Sequence, residues 1–364
     1  MPPQDQATTM RDAIILSTWS WNTFNVPERI ALALALRGAR VLYCEMPVSR
    51  FRRKRQAISE ITTGLYSFGP VYGGAKLSHF ALTRDLQWKM VGKQILRQAN
   101  ALRLSEPLFI YSHIEHMAPL CKEMRANGLA LIHVCMDYPE PYQYELIALS
   151  DRTIVIPKGV FHKLRARFGE KVYSIPQSIH LPAGVMQQNG YWSEPLALAR
   201  VLRPRLGYLG PLLGRVNLPL LQGVLLANPD WQFVCFGGGA ALHVDNAHDM
   251  GWIQPTMLPS YVASFDVGVM PYDCFNEKNL HCTPLKLLDY FLAGIPVVST
   301  PVISLWEYSD LIYFGETPRE FGHAIRNALE EPSTSPKRIQ RMELARSHST
   351  EILGQRLEEV LNLR

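Results

Sequence analysis

No Cys-x-x-Cys pair occurs in the chain; its six cysteines, Cys44, Cys121, Cys135, Cys235, Cys274 and Cys282, are scattered. Such spacing argues against a zinc site or a disulfide framework and reads as ordinary thiols in a reducing compartment. No run of about 18 uncharged apolar residues appears, and the first residues, MPPQDQATTMRD, lack the basic-then-apolar design of a signal peptide. The expectation is a cytoplasmic protein. The Gly-x-Gly-x-x-Gly fingerprint is missing, which disfavours a nicotinamide or flavin dehydrogenase. No Asp-x-Asp pair follows a strand, so no metal and no cofactor are expected. No nucleic-acid module or basic-aromatic repeat is present, and nucleic acid is not an expected partner.

What is present suits two α/β lobes. The 364 residues are long for one core and comfortable for two domains, and 47% apolar with 10% aromatic content excludes general disorder. The net charge of +5 is unevenly spread: Arg50, Arg52, Arg53, Lys54 and Arg55 crowd around Phe51, and Lys76, Arg84, Lys89, Lys93 and Arg97 follow with Phe80 and Trp88. That mixture suits an anionic membrane surface, where a basic residue near the headgroups contributes about 1 kcal/mol. A peripheral position on the cytoplasmic face follows from one reading, and an ordinary solvated face from the other.

Strands and helices alternate twice along the chain. Ala13 to Ser17 reads as a strand, Pro27 to Arg37 as a helix closed by Gly38, and Arg40 to Cys44 as a strand. Leu108 to Tyr111, a helix around Pro119 to Ala126, Ala130 to Met136, Thr153 to Ile156, Val160 to Phe168 and Val172 to Ile175 continue the pattern. After a loop-like stretch from Gln177 to Pro195 it restarts: strand Arg205 to Leu209, turn Gly210 to Asn217, helix Leu218 to Ala227, strand Gln232 to Phe236. Asp245 to Met257 reads as a connection and Leu258 to Ser264 as a short helix. The expected domains are 1–185 and 186–335, with 336–364 as one charged amphipathic helix packing back across the lobes. Alternation of this kind means parallel sheets.

The most informative stretch is FDVGVMPYDCFNEKNLHCTPLKLLDYFLAGIPVVSTP, residues 265–301. A strand ends at Pro271, a polar loop follows, and Leu285, Leu287, Leu288, Phe291 and Leu292 recur at helical spacing. Thr283 is the expected N-cap and Pro284 the first helical residue. The free backbone N–H groups at this helix start and the positive helix end make an anion site, to which Lys286 adds a full charge. Asp289, three residues on, lies on the same side, placed to accept hydrogen bonds from ribose hydroxyls. An ordinary helix–strand unit with a surface Lys and Asp is the bland alternative.

With TPLKLLDYFLAGIPVVSTP, MLPSYVASFDVGVMPY and RLGYLGPLLGRVNLPLLQGVLLANPDWQFVCFGGG in one order, the chain resembles bacterial glycosyltransferases of the GT-B fold, polysaccharide and glycolipid assembly enzymes such as the glucuronosyltransferase of xanthan synthesis included. The resemblance runs over most of residues 11–330 and is weaker in the first lobe, on Trp19 to Asn25, Pro27 to Arg37, and Gly38 to Tyr43 with Glu45 and Pro47. It implies an α/β protein with two Rossmann-like domains facing across a cleft, the first binding the acceptor and the second a nucleotide-sugar donor, commonly a UDP-sugar. It also implies a glycan or lipid-linked acceptor.

Carried onto this sequence, the resemblance puts the donor pyrophosphate on Lys286 with the backbone of Pro284 and Leu285, and the ribose on Asp289. Gly210 and Gly214-Arg215 resemble the loop that lets phosphate approach the first strand of the nucleotide lobe. The chain departs from the retaining members in two places. The usual Lys after that Arg is absent, with Leu220 nearby, and the first carboxylate of the paired motif falls on His281, with Glu277 one turn earlier as its substitute. Inversion would need one general base. Asp137, at the carboxyl end of the Ala130–Met136 strand, is the candidate, Glu140 is in reserve, and a helix-capping Asp is the alternative. His113 and His116, after another strand, are acceptor or phosphate candidates, or structural histidines. A noncatalytic GT-B-fold binding protein of an assembly complex, and a GT-B-shaped nucleotide-sugar epimerase or hydrolase, are the rival functions.

Overall fold

In the computed structural model, residues 10–23, 25–50, 57–73, 81–179, 193–239 and 242–362 are described. They form two compact units, 1–176 with 350–364, and 177–349.

The first unit opens with β1 (Ala13–Leu16), α1 (Val26–Leu36) and β2 (Val41–Cys44). Four short strands follow, β3 (Val48–Ser49), β4 (Ser59–Thr62), β5 (Leu65–Phe68) and β6 (Val71–Tyr72), then the long α2 (Ala81–Ala101). Next come β7 (Leu108–Tyr111), α3 (Ala118–Ala126), β8 (Leu131–Cys135), α4 (Gln143–Leu149), β9 (Arg152–Val155), α5 (Lys158–Phe168) and β10 (Val172–Ser174). Among the described residues the main sheet runs β10-β9-β8-β7-β1-β2-β5-β4, parallel except for the β4–β5 pair. Its central strands are buried along their whole length, as a parallel sheet covered on both faces requires. The side chain of Asn25 caps α1 by accepting the Glu28 N–H at 3.0 Å, and the chain leaves that helix through Gly38 at φ +85°.

The second unit contains β11 (Arg205–Leu209), α6 (Leu218–Ala227), β12 (Gln232–Phe236), β13 (Ala247–Asp249), α7 (Leu258–Ala263), β14 (Val267–Met270), α8 (Glu277–Leu280), α9 (Leu285–Leu292), β15 (Val297–Ser299), β16 (Ile312–Phe314), α10 (Pro318–Leu329) and α11 (Pro336–Arg346). Its sheet, β13-β12-β11-β14-β15-β16, is parallel throughout. Asn217 caps α6 through the Leu220 N–H at 3.0 Å, and Thr317 with Glu320 forms a capping box on α10.

The tail expected as one helix is two, α11 and α12 (Thr350–Leu361). The break is polar: the Ser347 hydroxyl donates to the Leu344 carbonyl, and the His348 ring nitrogen Nδ1 lies 2.8 Å from the same oxygen, occupying an acceptor that a continuing helix would use. Helix α12 belongs to the first unit, where Gly354 lies against Ala33 and Arg37, Arg37 pairs with Glu358, and Arg152 donates to the carbonyls of Val360 and Leu361 at 2.7 Å.

In each sheet the chain starts in the middle and builds outward both ways. Strands β2 and β7 flank β1, and β12 and β14 flank β11. Such reversals leave a crevice at the carboxyl ends of the flanked strands, where open α/β sheets take ligands.

Candidate active site

In the second unit that crevice lies between the ends of β11 and β14. The two strands pair at Leu206–Val267 and Gly207–Gly268 and then part. Tyr290 of α9 fills the gap. Its hydroxyl accepts the Leu209 N–H and donates to the Gly207 carbonyl, both at 3.1 Å, so the parted strand keeps its hydrogen bonds. Position 268 must be glycine, since a Cβ there would lie 2.6 Å from the Tyr290 ring. The wedge fixes α9 against β11, and Lys286 stands one turn before Tyr290 on the same helix.

Helix α9 begins one residue later than expected: Pro284, extended at ψ 120°, is the N-cap, no side chain caps the helix, and Leu285 is the first helical residue. Proline has no N–H to lose at a helix start and its fixed φ suits the cap, so Thr283 is displaced outward. The Thr283 hydroxyl is buried with no protein partner, and its carbonyl accepts from the Gln177 amide at 3.1 Å. Among the described residues the amides of Leu285 and Lys286 donate to no protein group. Thus three donors and the positive helix end converge where Lys286 begins.

Lys286 is half-buried, with Nζ 3.7 Å from the Tyr208 ring centre and 5.3 Å from that of Tyr272. Gly210 sits at φ +113°, where a side chain would be strained, and a Cβ there would meet Nζ at an ordinary 3.5 Å contact. Burial pushes the ammonium from the ordinary lysine range down to about 7; Cys282 opposes, Arg215 adds to the fall, and Asp289 opposes again. The two rings offset part of the cost of withdrawing a cation from water, about 2 kcal/mol for a desolvated pair. A phosphate placed here would gain the ammonium and two amides at once.

The loops around Lys286 are tied together. Val216 bridges Tyr272, the Asn217 N–H donates to the Pro271 carbonyl at 2.8 Å, and the Asp273 N–H to the Arg215 carbonyl at 2.9 Å. The side chain of Asn279, 1% exposed, donates to the carbonyls of Arg215 and Asp273 at 3.2 and 2.8 Å. Glu277 stands exposed on the first turn of α8, and His281 ends that helix, its N–H on the Glu277 carbonyl at 3.1 Å.

Gly210, Arg215, Thr283, Pro284, Leu285, Lys286 and Asp289 therefore gather at one crevice, with His281 bordering it and Glu277 directed to solvent. Asp137, Glu140, His113 and His116 lie in the first unit, on the loops after β8 and β7. Asp137 and Glu140 are half-buried; His116 is exposed at φ +62°, 3.2 Å from Glu115. Tyr208, Tyr272 and Tyr290 escaped the sequence reading. An aromatic residue at the end of a buried strand or inside an apolar helix looks like core, and only its contact with Lys286 or the strand gap gives it another role.

Residues 213–331 match the family described as Glycosyl transferases group 1. That stretch, under half of the chain, is similar to glycosyltransferases. The glycosyltransferase match falls inside the second unit and takes in α9 and the loops around it. A putative teichuronic acid biosynthesis glycosyltransferase of Bacillus subtilis is 27% identical over 159 residues, 39% of this chain and 39% of that protein, so the likeness spans well under half of the curated relative. Solved structures follow the whole fold. The E. coli structure described as trehalose-6-phosphate bound with UDP-2-fluoro glucose superposes with a TM-score of 0.68 at 10% identity, over 97% of this chain and 99% of that one. An alpha,alpha-trehalose 6-phosphate synthase from Burkholderia multivorans gives 0.66 at 13% identity, over 97% and 98%.

Proposed function

We propose that this glycosyltransferase moves a sugar from a UDP-sugar to a glycan or lipid-linked acceptor in polysaccharide or glycolipid assembly. The observation that carries the reading is Lys286, a half-buried ammonium held over two rings beside two unused helix amides. In transfer, the bond between the sugar's anomeric carbon and the β-phosphate oxygen breaks as an acceptor hydroxyl oxygen bonds to that carbon. Charge grows on the leaving diphosphate, where Lys286 and the α9 amides stand, and stabilisation there lowers the barrier. Asp137 takes the acceptor proton. Asp289 holds the ribose, and Arg215 adds positive charge beside the diphosphate. The protein supplies these charges itself, so a metal is not required in this reading.

The test is a thermal-shift screen of the full chain against UDP, GDP, ADP and TDP, with and without EDTA. The expected result is a rise of several degrees with UDP that chelation leaves unchanged. A flat response to all four would overturn the donor reading, and a rise abolished by EDTA the metal-independent one.

A membrane-facing role draws support from α2, whose exposed face carries Leu86, Lys89, Met90, Lys93 and Arg97 at helical spacing. Arg50 is described, whereas residues 51–56 and 74–80, with the rest of the first basic cluster, Lys76 and Phe80, lie outside the described residues. No helix among the described residues is long and apolar enough to cross a membrane. Co-sedimentation with phosphatidylglycerol vesicles should weaken about 100-fold when Lys89, Lys93 and Arg97 are all changed to Glu. Equal recovery of wild type and variant would remove the membrane from the account.

A further inference from the structure

Two loops of the second unit wall the crevice around Lys286, residues 210–217 after β11 and 271–276 after β14, and one buried side chain is tied to both. Asn279, on the one-turn helix α8, donates its amide to the Arg215 carbonyl at 3.2 Å and to the Asp273 carbonyl at 2.8 Å. The Arg215 carbonyl also accepts the Asp273 N–H at 2.9 Å. Both amide hydrogens of Asn279 are thus committed to backbone, one to each loop. Its Oδ1 is left over, buried without a protein partner. A leucine, with the same branched outline, would fill the place without burying an unsatisfied acceptor, so what singles out the amide is its pair of donors. Those donors fix Arg215 from its carbonyl side. On its other side the chain is exposed at Leu213 and Gly214, the latter left-handed at φ +56°. The Arg215 guanidinium acts on the crevice: it lowers the Lys286 ammonium and opposes the rise that burial imposes on the Tyr208 and Tyr272 hydroxyls.

We infer that Asn279 is a positioning residue of the donor site: by clamping the carbonyls of Arg215 and Asp273 it holds the Arg215 guanidinium ready for the donor diphosphate, without touching the donor itself. The inference rests on the transferase reading above and adds to it the device that orders Arg215. A long cationic side chain on a loose loop must be ordered when the anion arrives, which offsets part of the binding. A loop already clamped from below spares most of that cost, and keeps the charge in place while the leaving diphosphate forms.

The test is a double-mutant cycle on the full chain, with UDP affinity measured by calorimetry for wild type, Asn279→Leu, Arg215→Ala and the two combined. Asn279→Leu is expected to weaken UDP about tenfold, Arg215→Ala at least as much, and the combination no more than Arg215→Ala alone. A merely structural asparagine would instead give losses that add, because its effect would not pass through Arg215. Hydrogen exchange at the Asp273 amide, which donates to the same carbonyl, is followed beside the cycle and should quicken in Asn279→Leu with or without UDP. Asn279→Ala serves as the second truncation should the leucine variant fail to fold. Additive losses, UDP affinity indifferent to Asn279, or Asp273 exchange unchanged by its removal would each overturn the positioning role. A wild type that binds no UDP, with Asp273 exchange still dependent on Asn279, would overturn the donor reading and keep the clamp.

Discussion

Replacing Lys286 by alanine is expected to lower kcat/KM for sugar transfer by about 100- to 1,000-fold, the cost of losing one charge-stabilising group at a reacting oxyanion. The loss should fall on kcat as well as on donor affinity, because charge on the diphosphate is greatest as the glycosidic bond breaks. The helix amides and Arg215 remain, so weakened rather than abolished UDP binding is expected. Stability should move the other way. A lysine held near 7 in the fold and near its ordinary value when unfolded disfavours folding fully below about 7, and the penalty fades as pH rises toward the unfolded value. Without nucleotide, the variant's melting temperature should therefore exceed wild type at neutral pH, and the gap should close by pH 10. Initial rates and pH-resolved melting curves check both; an unchanged kcat/KM would remove Lys286 from the chemistry.

Asp137→Asn is expected to lower kcat by about 100- to 10,000-fold, the range for loss of a general base, while leaving UDP affinity intact. The two units separate the roles: Asp137 follows β8 of the first sheet, and Lys286 and Asp289 belong to the second. Glu140→Gln, three residues on, is the control and should cost much less. Single-turnover rates with calorimetric UDP binding distinguish the cases. If Glu140→Gln shows the larger loss, the base is Glu140. If neither variant slows turnover, transfer proceeds without a carboxylate base from this loop.

Strands β7, β11 and β12 and helix α6 are legible to the residue, because buried parallel strands read as short apolar runs and Asn217, with Pro219 two residues on, marks a helix start. Strand β13 is not: Ala247-His248-Asp249 is a polar edge strand inside what reads as a connection, and only pairing with β12 reveals it. Residues 48–72 show the same limit, since strands of two to four residues carry too little period to detect. In the candidate site, Lys286 stands out because a cation at a helix N-terminus opposes the helix dipole and so has little structural use there. Tyr290 cannot be read that way, since its function depends on a gap between two strands that exists only after folding.

The most direct measurement of the central claim is proton uptake on UDP binding, obtained by titration calorimetry at pH 8 in buffers of different ionisation enthalpy. A free Lys286 titrating at about 7 is mostly neutral at that pH, and an adjoining diphosphate raises its pKa, so binding must draw a proton. The expected result is uptake of about one proton per UDP, absent in Lys286→Ala and shrinking as pH falls through 7. UDP binding at pH 8 with no proton uptake, or with the same uptake in Lys286→Ala, would contradict the placement of the donor diphosphate on Lys286.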